Sequence, residues 1–97
     1  MSHIAPELFL NRLAELWQLN EHQRRSLSEL GQEAIPALQD IQQTLENLFP
    51  HNPQLAELWP TTVNKAFTNR SPLQVIEEEG LEGIEQVRRF LCLHHEE

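Results

Sequence analysis

The densest set of reactive side chains in the chain is the carboxylate run Glu77-Glu78-Glu79. Paired carboxylates can divide acid and base work, but they must converge on one proton. Consecutive helical side chains point about 100° apart, so these three diverge. The run therefore predicts a solvated, acidic helix end. Because acids at a helix C-terminus oppose its dipole, this end needs solvent or a basic partner, and Arg88 and Arg89 are the candidates.

The histidines form no recognisable site. His94 and His95 stand beside two glutamates and could chelate a metal ion, but adjacent ligands lack the i, i+4 spacing that paired helical histidines use. The other three histidines are scattered, and no nucleophile elbow accompanies them. With three glycines in all, no phosphate-cradling loop is present in the sequence. We therefore expect no catalysis, no metal and no cofactor, and predict that the protein is not an enzyme.

The charge balance argues against nucleic acid as a general partner. Fifteen acidic residues against seven basic ones give a net charge of −8, which repels phosphate backbones. The sequence also contains no apolar run of about 18 residues and no basic start followed by an apolar stretch. These features predict a cytoplasmic protein with no membrane partner.

The apolar pattern predicts one all-α domain, a compact bundle of about six short helices. Sixteen leucines, three valines and no tyrosine favour helices, because strands are rich in β-branched and aromatic residues. Apolar residues recur at steps of three and four, and cap residues, prolines and glycines mark the ends. The predicted helices run from Pro6 to about Leu19, Asn20 to Gly31, Pro36 to Phe49, Asn52 to Trp59, Ser71 to Gly80 and onward from Leu81, with a brief turn between Thr62 and Phe67.

Residues 59–73, WPTTVNKAFTNRSPL, differ from the rest of the chain. They are polar, lack helical periodicity and are framed by prolines, which is typical of a structural corner or of a recognition loop. Trp59, like Trp17, falls on the apolar stripe of its helix and is expected in the core.

Seven residues of this stretch are in register with a known signature: Trp59, Asn64, Phe67, Arg70, Ser71, Pro72 and Leu73. On these residues the chain resembles the C-terminal toxin-binding domain of the Xre/MbcA/ParS antitoxin family, over about residues 36–93. The family's later glycine corresponds to Gly80 or Gly83. Two positions depart from the signature: Val63 replaces the usual proline, and Asn69 replaces the usual glycine. Asparagine is the non-glycine residue that best tolerates a left-handed backbone, so the fold should accept it.

The resemblance implies two parts packed as one domain, with residues 36–97 as the toxin-binding module. Residues 1–35 are similar to a helix-turn-helix, whose second helix lies in the major groove of DNA. Only Gln32 to Ile35 separate Gly31 from the central helix, too few for a recognition helix, and the exposed face of the central helix carries no lysine or arginine. We therefore expect a degenerate helix-turn-helix that no longer reads DNA.

The resemblance also implies a role. Such antitoxins pair with RES-domain toxins, enzymes that consume NAD, and dock against the toxin so that its active-site cleft is obstructed. An acidic antitoxin would suit a basic pocket of the kind that a phosphate-bearing substrate requires. Each residue implicated could instead serve the fold, as Arg70 would by making a bidentate contact inside the chain. The residues expected to bind the toxin are Trp59, Asn64, Phe67, Arg70, Ser71, Pro72, Arg88, Arg89, His94 and His95.

Two other classes of function stay open: a DNA-binding transcriptional autorepressor of the same operon, and a helical scaffold that only oligomerises. The apolar stripe from Leu38 to Phe49 is wider than one small domain is expected to cover, which favours a homodimer or a higher hetero-oligomer with the toxin. A cut after Phe90 is expected to weaken toxin inhibition more than folding, since residues 94–97 have little apolar surface to bury.

Overall fold

The computed structural model describes residues 6–94 of the chain, and the side chains of residues 8–93. Two 3₁₀ turns, Trp59–Thr61 and Lys65–Phe67, lie between the fourth and fifth helices. Across the described residues the extended pairing is a single bridge between Asn64 and Arg70, so the all-α prediction is confirmed. The helices are α1 (Pro6–Trp17), α2 (Glu21–Ser28), α3 (Ala34–Leu48), α4 (Pro53–Leu58), α5 (Pro72–Glu79) and α6 (Leu81–His94).

Two helix starts carry capping boxes, at the predicted cap residues Asn20 and Ser71. The Gln23 backbone N–H donates to Asn20 Oδ1 at 2.7 Å, and the Asn20 N–H donates back to the Gln23 side chain at 2.9 Å. Ser71 and Gln74 repeat this exchange at 3.1 and 2.8 Å. Each box satisfies two of the N–H groups that a helix start leaves without intrahelical partners. The starts of α2 and α5 are therefore fixed by local interactions.

Other helix ends differ from the predicted ones by a few residues. α1 ends before Gln18, which has a left-handed φ of 58°, and α2 ends three residues before Gly31, whose φ is 87°. α3 begins two residues before Pro36, because a first helical turn tolerates a residue without an N–H. Asn52 makes no side-chain capping bond, so that part of the prediction is wrong, whereas Gly80 ends α5 as expected with a φ of 66°.

The apolar stripe of α3 is covered within the subunit. Leu38, Ile41 and Leu45 are at most 1% exposed, and α6 packs along α3. Leu48 and Phe49 are half-buried against the same core. The width of this stripe therefore gives no reason to expect a dimer. The inference from its width was wrong, because α6 covers the stripe within the same subunit. The oligomeric state itself stays a prediction.

The N-terminal helices pack onto this core and complete it. Trp17 is 1% exposed, as its position on the stripe predicted, and α1 contacts both α2 and α4. The proposed boundary between residues 35 and 36 falls in the first turn of α3, so both parts share that helix. Within residues 6–94, none of the helices has the length and apolar character needed to cross a membrane.

Candidate functional site

The bend, defined here as residues 59–71, is held from inside by three aromatic rings. Trp59 stacks on Phe90 of α6 with ring centroids 6.0 Å apart and planes 20° apart. Phe67 lies 5.1 Å from Phe90 and meets Trp59 edge-on at 6.4 Å. Phe67 is only 6% exposed, and the other two rings are half-buried. Such ring pairs add to the stability that burial provides, so the cluster ties the bend to α6.

Arg70 fastens the end of the bend to α5. Its guanidinium contacts Glu78 at 2.7 Å and Glu79 at 3.1 Å, and its Nε donates to the Phe67 carbonyl at 3.1 Å. The hydrogen bonds to Glu78 and then to Glu79 raise the pKa of Arg70 above its ordinary value. The bidentate contact is thus made inside the chain.

The expected neutralisation of the α5 glutamates by Arg88 and Arg89 is wrong. Arg88 instead bridges Asp40 of α3 at 2.7 Å and Glu85 at 2.8 Å, which ties α6 to α3. The hydrogen bond to Glu85 is the largest cause of the raised pKa of Arg88, and the bond to Asp40 adds to it. Arg89 is exposed and forms no ion pair with the side chains of residues 8–93. Sequence spacing could not give the Arg88–Asp40 pair, because its members are 48 residues apart.

Asn64 closes the bend by bonding backbone groups. Its Oδ1 accepts from the Ala66 N–H at 2.9 Å, and its own N–H donates to the Arg70 carbonyl at 3.0 Å. This arrangement is a side-chain turn of the kind that asparagine favours. The segment from Asn64 to Arg70 is therefore closed by a backbone hydrogen bond between its two end residues.

The tip of the bend has two consecutive left-handed residues. Asn69, with a φ of 62°, adopts the conformation that its replacement of glycine predicted. Thr68, with a φ of 60° and ψ of 46°, was not foreseen, because its β-branched side chain disfavours this region. Such strain costs on the order of 1 kcal/mol and persists only where surrounding contacts impose it. Here the Thr68 N–H donates to the Lys65 carbonyl at 3.1 Å, and the Arg70 N–H donates to the Phe67 carbonyl at 3.2 Å.

The outer face of the bend is open to solvent. It presents polar side chains together with one large apolar group, Val63, which is 59% exposed. Pro60, at the start of the bend, is buried and takes no part in this face. The exposed members are Thr62, Val63, Lys65, Ala66, Thr68 and Asn69.

The structure thus changes which residues can touch a partner. Phe67, Ser71 and Pro72 are buried, so they shape the bend and offer no contact surface, a correction to their prediction as binding residues. Trp59 and Arg70 are half-buried in contacts of the fold, and so is Asn64. The His94 side chain and all of His95 lie outside the described residues, so the metal and toxin-contact hypotheses for them cannot be placed. The sequence signature marked the anchors of the bend, and the residues between those anchors form its outer face.

A C-terminal truncation tests toxin binding separately from folding only if every core residue stays in the chain. Leu91 is 2% exposed, so a cut after Phe90 also removes a core side chain, and the expectation that such a cut largely spares folding is wrong. We expect a chain ending at Leu93 to keep its free energy of unfolding within about 0.5 kcal/mol, because the two histidines and two glutamates removed have little apolar surface to contribute to a core. Urea denaturation followed by circular dichroism measures this. A loss above about 2 kcal/mol would show that the removed residues belong to the fold.

The connection between α2 and α3 holds no further helix. Residues 29–33 link the two directly, and α3 carries no lysine or arginine on any face. The exposed side chains of α3 include Gln39, Asp40 and Gln43. A helix that enters the major groove usually meets phosphates with cations, and this one has none to offer.

Comparison of the chain with protein-family models, curated proteins and solved structures gives no match. Among the described side chains, no group of three or more histidine, cysteine, aspartate or glutamate residues is placed to hold a metal ion.

Proposed function

We propose that this protein is the antitoxin of a type II toxin–antitoxin system, and that it binds and blocks a RES-domain toxin without catalysing a reaction. The observation that carries the proposal is the construction of the bend. Its anchors are fixed by rings, ion pairs and capping bonds, while Val63 and its polar neighbours face outward. A surface ordered before binding loses less conformational entropy when a partner docks. An ordered surface of this kind suits a protein that obstructs the active-site cleft of an enzyme.

The charge of the protein supports the same kind of partner. With a net charge of −8, the chain favours a partner whose binding surface is basic. An NAD-consuming enzyme binds a substrate with two phosphates, and its cleft needs positive charge to hold them. The proposal places antitoxin and toxin together in the cytoplasm. An autorepressor is less well supported, since α3 offers DNA no cation.

The direct test is co-expression with a RES-domain protein, taken from the same operon if the neighbouring gene encodes one. We expect the two to co-purify, the toxin in the complex to leave NAD intact, and NAD consumption to return when the antitoxin is removed. If no complex forms at micromolar concentrations of both proteins, the proposal fails. A mobility shift of the operon's own promoter by the free chain would favour the autorepressor instead.

The outer face of the bend should supply the binding energy. Val63→Asp places a charge at the exposed apolar position and is expected to weaken toxin binding at least about tenfold, the effect of an interface hot spot. Leu8→Asp is the matched control, because Leu8 is 65% exposed but lies on α1, and it should change the Kd less than about twofold. Calorimetric titration measures both values. Equal weakening by the two variants would show that the bend is not the docking surface.

A further inference from the structure

A second surface feature, separate from the bend, is a groove between α1, α3 and α4. Its volume is about 290 Å³, and its apolar wall comprises Leu16, Phe49 and Ala56. Leu16 and Phe49 are half-buried, and the two prolines at its edge, Pro50 and Pro53, are exposed. No residue of the bend lines it. The volume falls at the lower limit of small-molecule pockets, and it suits one or two apolar side chains of a partner segment.

Two carboxylates border this apolar wall. Glu46 and Glu57 line the groove, and neither forms an ion pair with the cations described in residues 8–93. Gln42 orients one of them: it accepts from the Trp17 indole N–H at 2.7 Å and donates to Glu46 Oε2 at 3.0 Å. A chain of hydrogen bonds thus runs from the buried tryptophan to the groove carboxylate. The arrangement presents fixed negative charge beside an apolar slot.

From this charge pattern we propose that the groove binds a basic amphipathic helix of another protein. An apolar side chain of that helix enters between Leu16 and Phe49, and flanking lysine or arginine side chains meet Glu46 and Glu57. Helix-in-groove recognition uses this combination of apolar anchors and rim charges. A second copy of the chain is a poorer occupant, because each copy carries a net charge of −8. The inference is independent of the proposed antitoxin activity.

The test uses the full ¹⁵N-labelled chain and a synthetic 14-residue helical peptide of leucine and lysine, with a leucine and glutamate peptide of the same spacing as its counterpart. We expect the lysine peptide to shift the Trp17 indole N–H resonance and the Leu16 and Ala56 amides saturably, and the glutamate peptide to shift none of them. Absence of a saturable shift with the lysine peptide would overturn the proposal.

Charge-neutralising variants locate the binding. The Glu46→Gln, Glu57→Gln double variant should raise the Kd for the lysine peptide about tenfold, since each lost ion pair weakens binding severalfold. Glu29→Gln, Glu82→Gln changes the net charge equally at two exposed positions outside the groove and should change the Kd less than about twofold. Equal effects of the two pairs would reduce the binding to general charge attraction and overturn the groove assignment.

Two further outcomes name a different occupant. A concentration-dependent dimer of the unmodified chain in sedimentation, lost in Glu46→Gln, Glu57→Gln, would assign the groove to a second copy. Peptide binding that appears only after residues 1–5 are removed would assign it to the chain's own N-terminal segment. Because no toxin is present in these experiments, their failure leaves the antitoxin proposal unaffected.

Discussion

Replacing Phe67 with alanine is expected to lower the free energy of unfolding by about 3–5 kcal/mol, the cost of deleting a buried aromatic ring. Phe67 is 6% exposed and touches both Trp59 and Phe90, so the deletion removes two ring contacts and leaves a cavity beneath the bend. A domain of this size has roughly 5–15 kcal/mol of stability in total. The variant should therefore be largely unfolded at modest urea concentrations, as circular dichroism would show.

Phe67→Leu is the matched variant, because it keeps most of the apolar volume while removing the ring. It should cost about 1 kcal/mol, near the range of volume-conserving core changes. The leucine variant should stay folded, so it also tests the proposed function. Under that proposal, a bend less firmly held against α6 should inhibit a RES-domain toxin less well. If Phe67→Ala cost less than about 1 kcal/mol, the ring cluster would not be what holds the bend.

Gly83→Ala is expected to destabilise the protein by about 2 kcal/mol, although alanine is the better helix former. Gly83 lies in α6 where this helix touches α5, and a Cβ added there would overlap the Val75 backbone carbonyl oxygen. Because the obstacle is backbone, it cannot move aside as a flexible side chain would. The two helices must separate, and they lose contacts between buried residues such as Val75 and Ile84.

The control for Gly83→Ala is an alanine on the exposed side of the same helix. Arg89→Ala should change the free energy of unfolding by less than about 0.5 kcal/mol, because Arg89 is exposed and arginine and alanine have similar helix propensities. Thermal unfolding followed by circular dichroism compares the two. A Gly83→Ala variant as stable as the unmodified chain would mean that α5 and α6 do not pack as closely as described.

The helices and their boundaries could be predicted largely from sequence, because the signals that fix them are local. Asn20 and Ser71 cap helices through residues three positions away, and Gly80 ends α5 through its own backbone conformation. Such interactions depend only on neighbours in the chain. Asn52 shows the limit of such local signals. Its residue type suits an N-cap, but its backbone (φ −148°, ψ 72°) is not in the extended conformation usual for a cap, and its side chain makes no capping bond.

The bend could be located from sequence, but its exposed side could not. Trp59, Asn64 and Arg70 mark its anchors by type and order. Which of them face inward depends on where α5 and α6 lie, and those helices contribute Glu78, Glu79 and Phe90 from outside the bend. The strained Thr68 is likewise imposed by its surroundings, because its own side chain disfavours that conformation.

By itself, then, the amino-acid order determined an all-helical chain, where most of its helices begin and end, and where the chain must turn. The tertiary structure alone decided that Arg70, and not Arg88, neutralises the end of α5, that Arg88 reaches Asp40 across the core, and that Gly83 permits two helices to touch. The physical reason is one of range. Caps and turns act within about four residues, whereas ion pairs between helices, close backbone approaches and the groove exist only after separate helices have packed together.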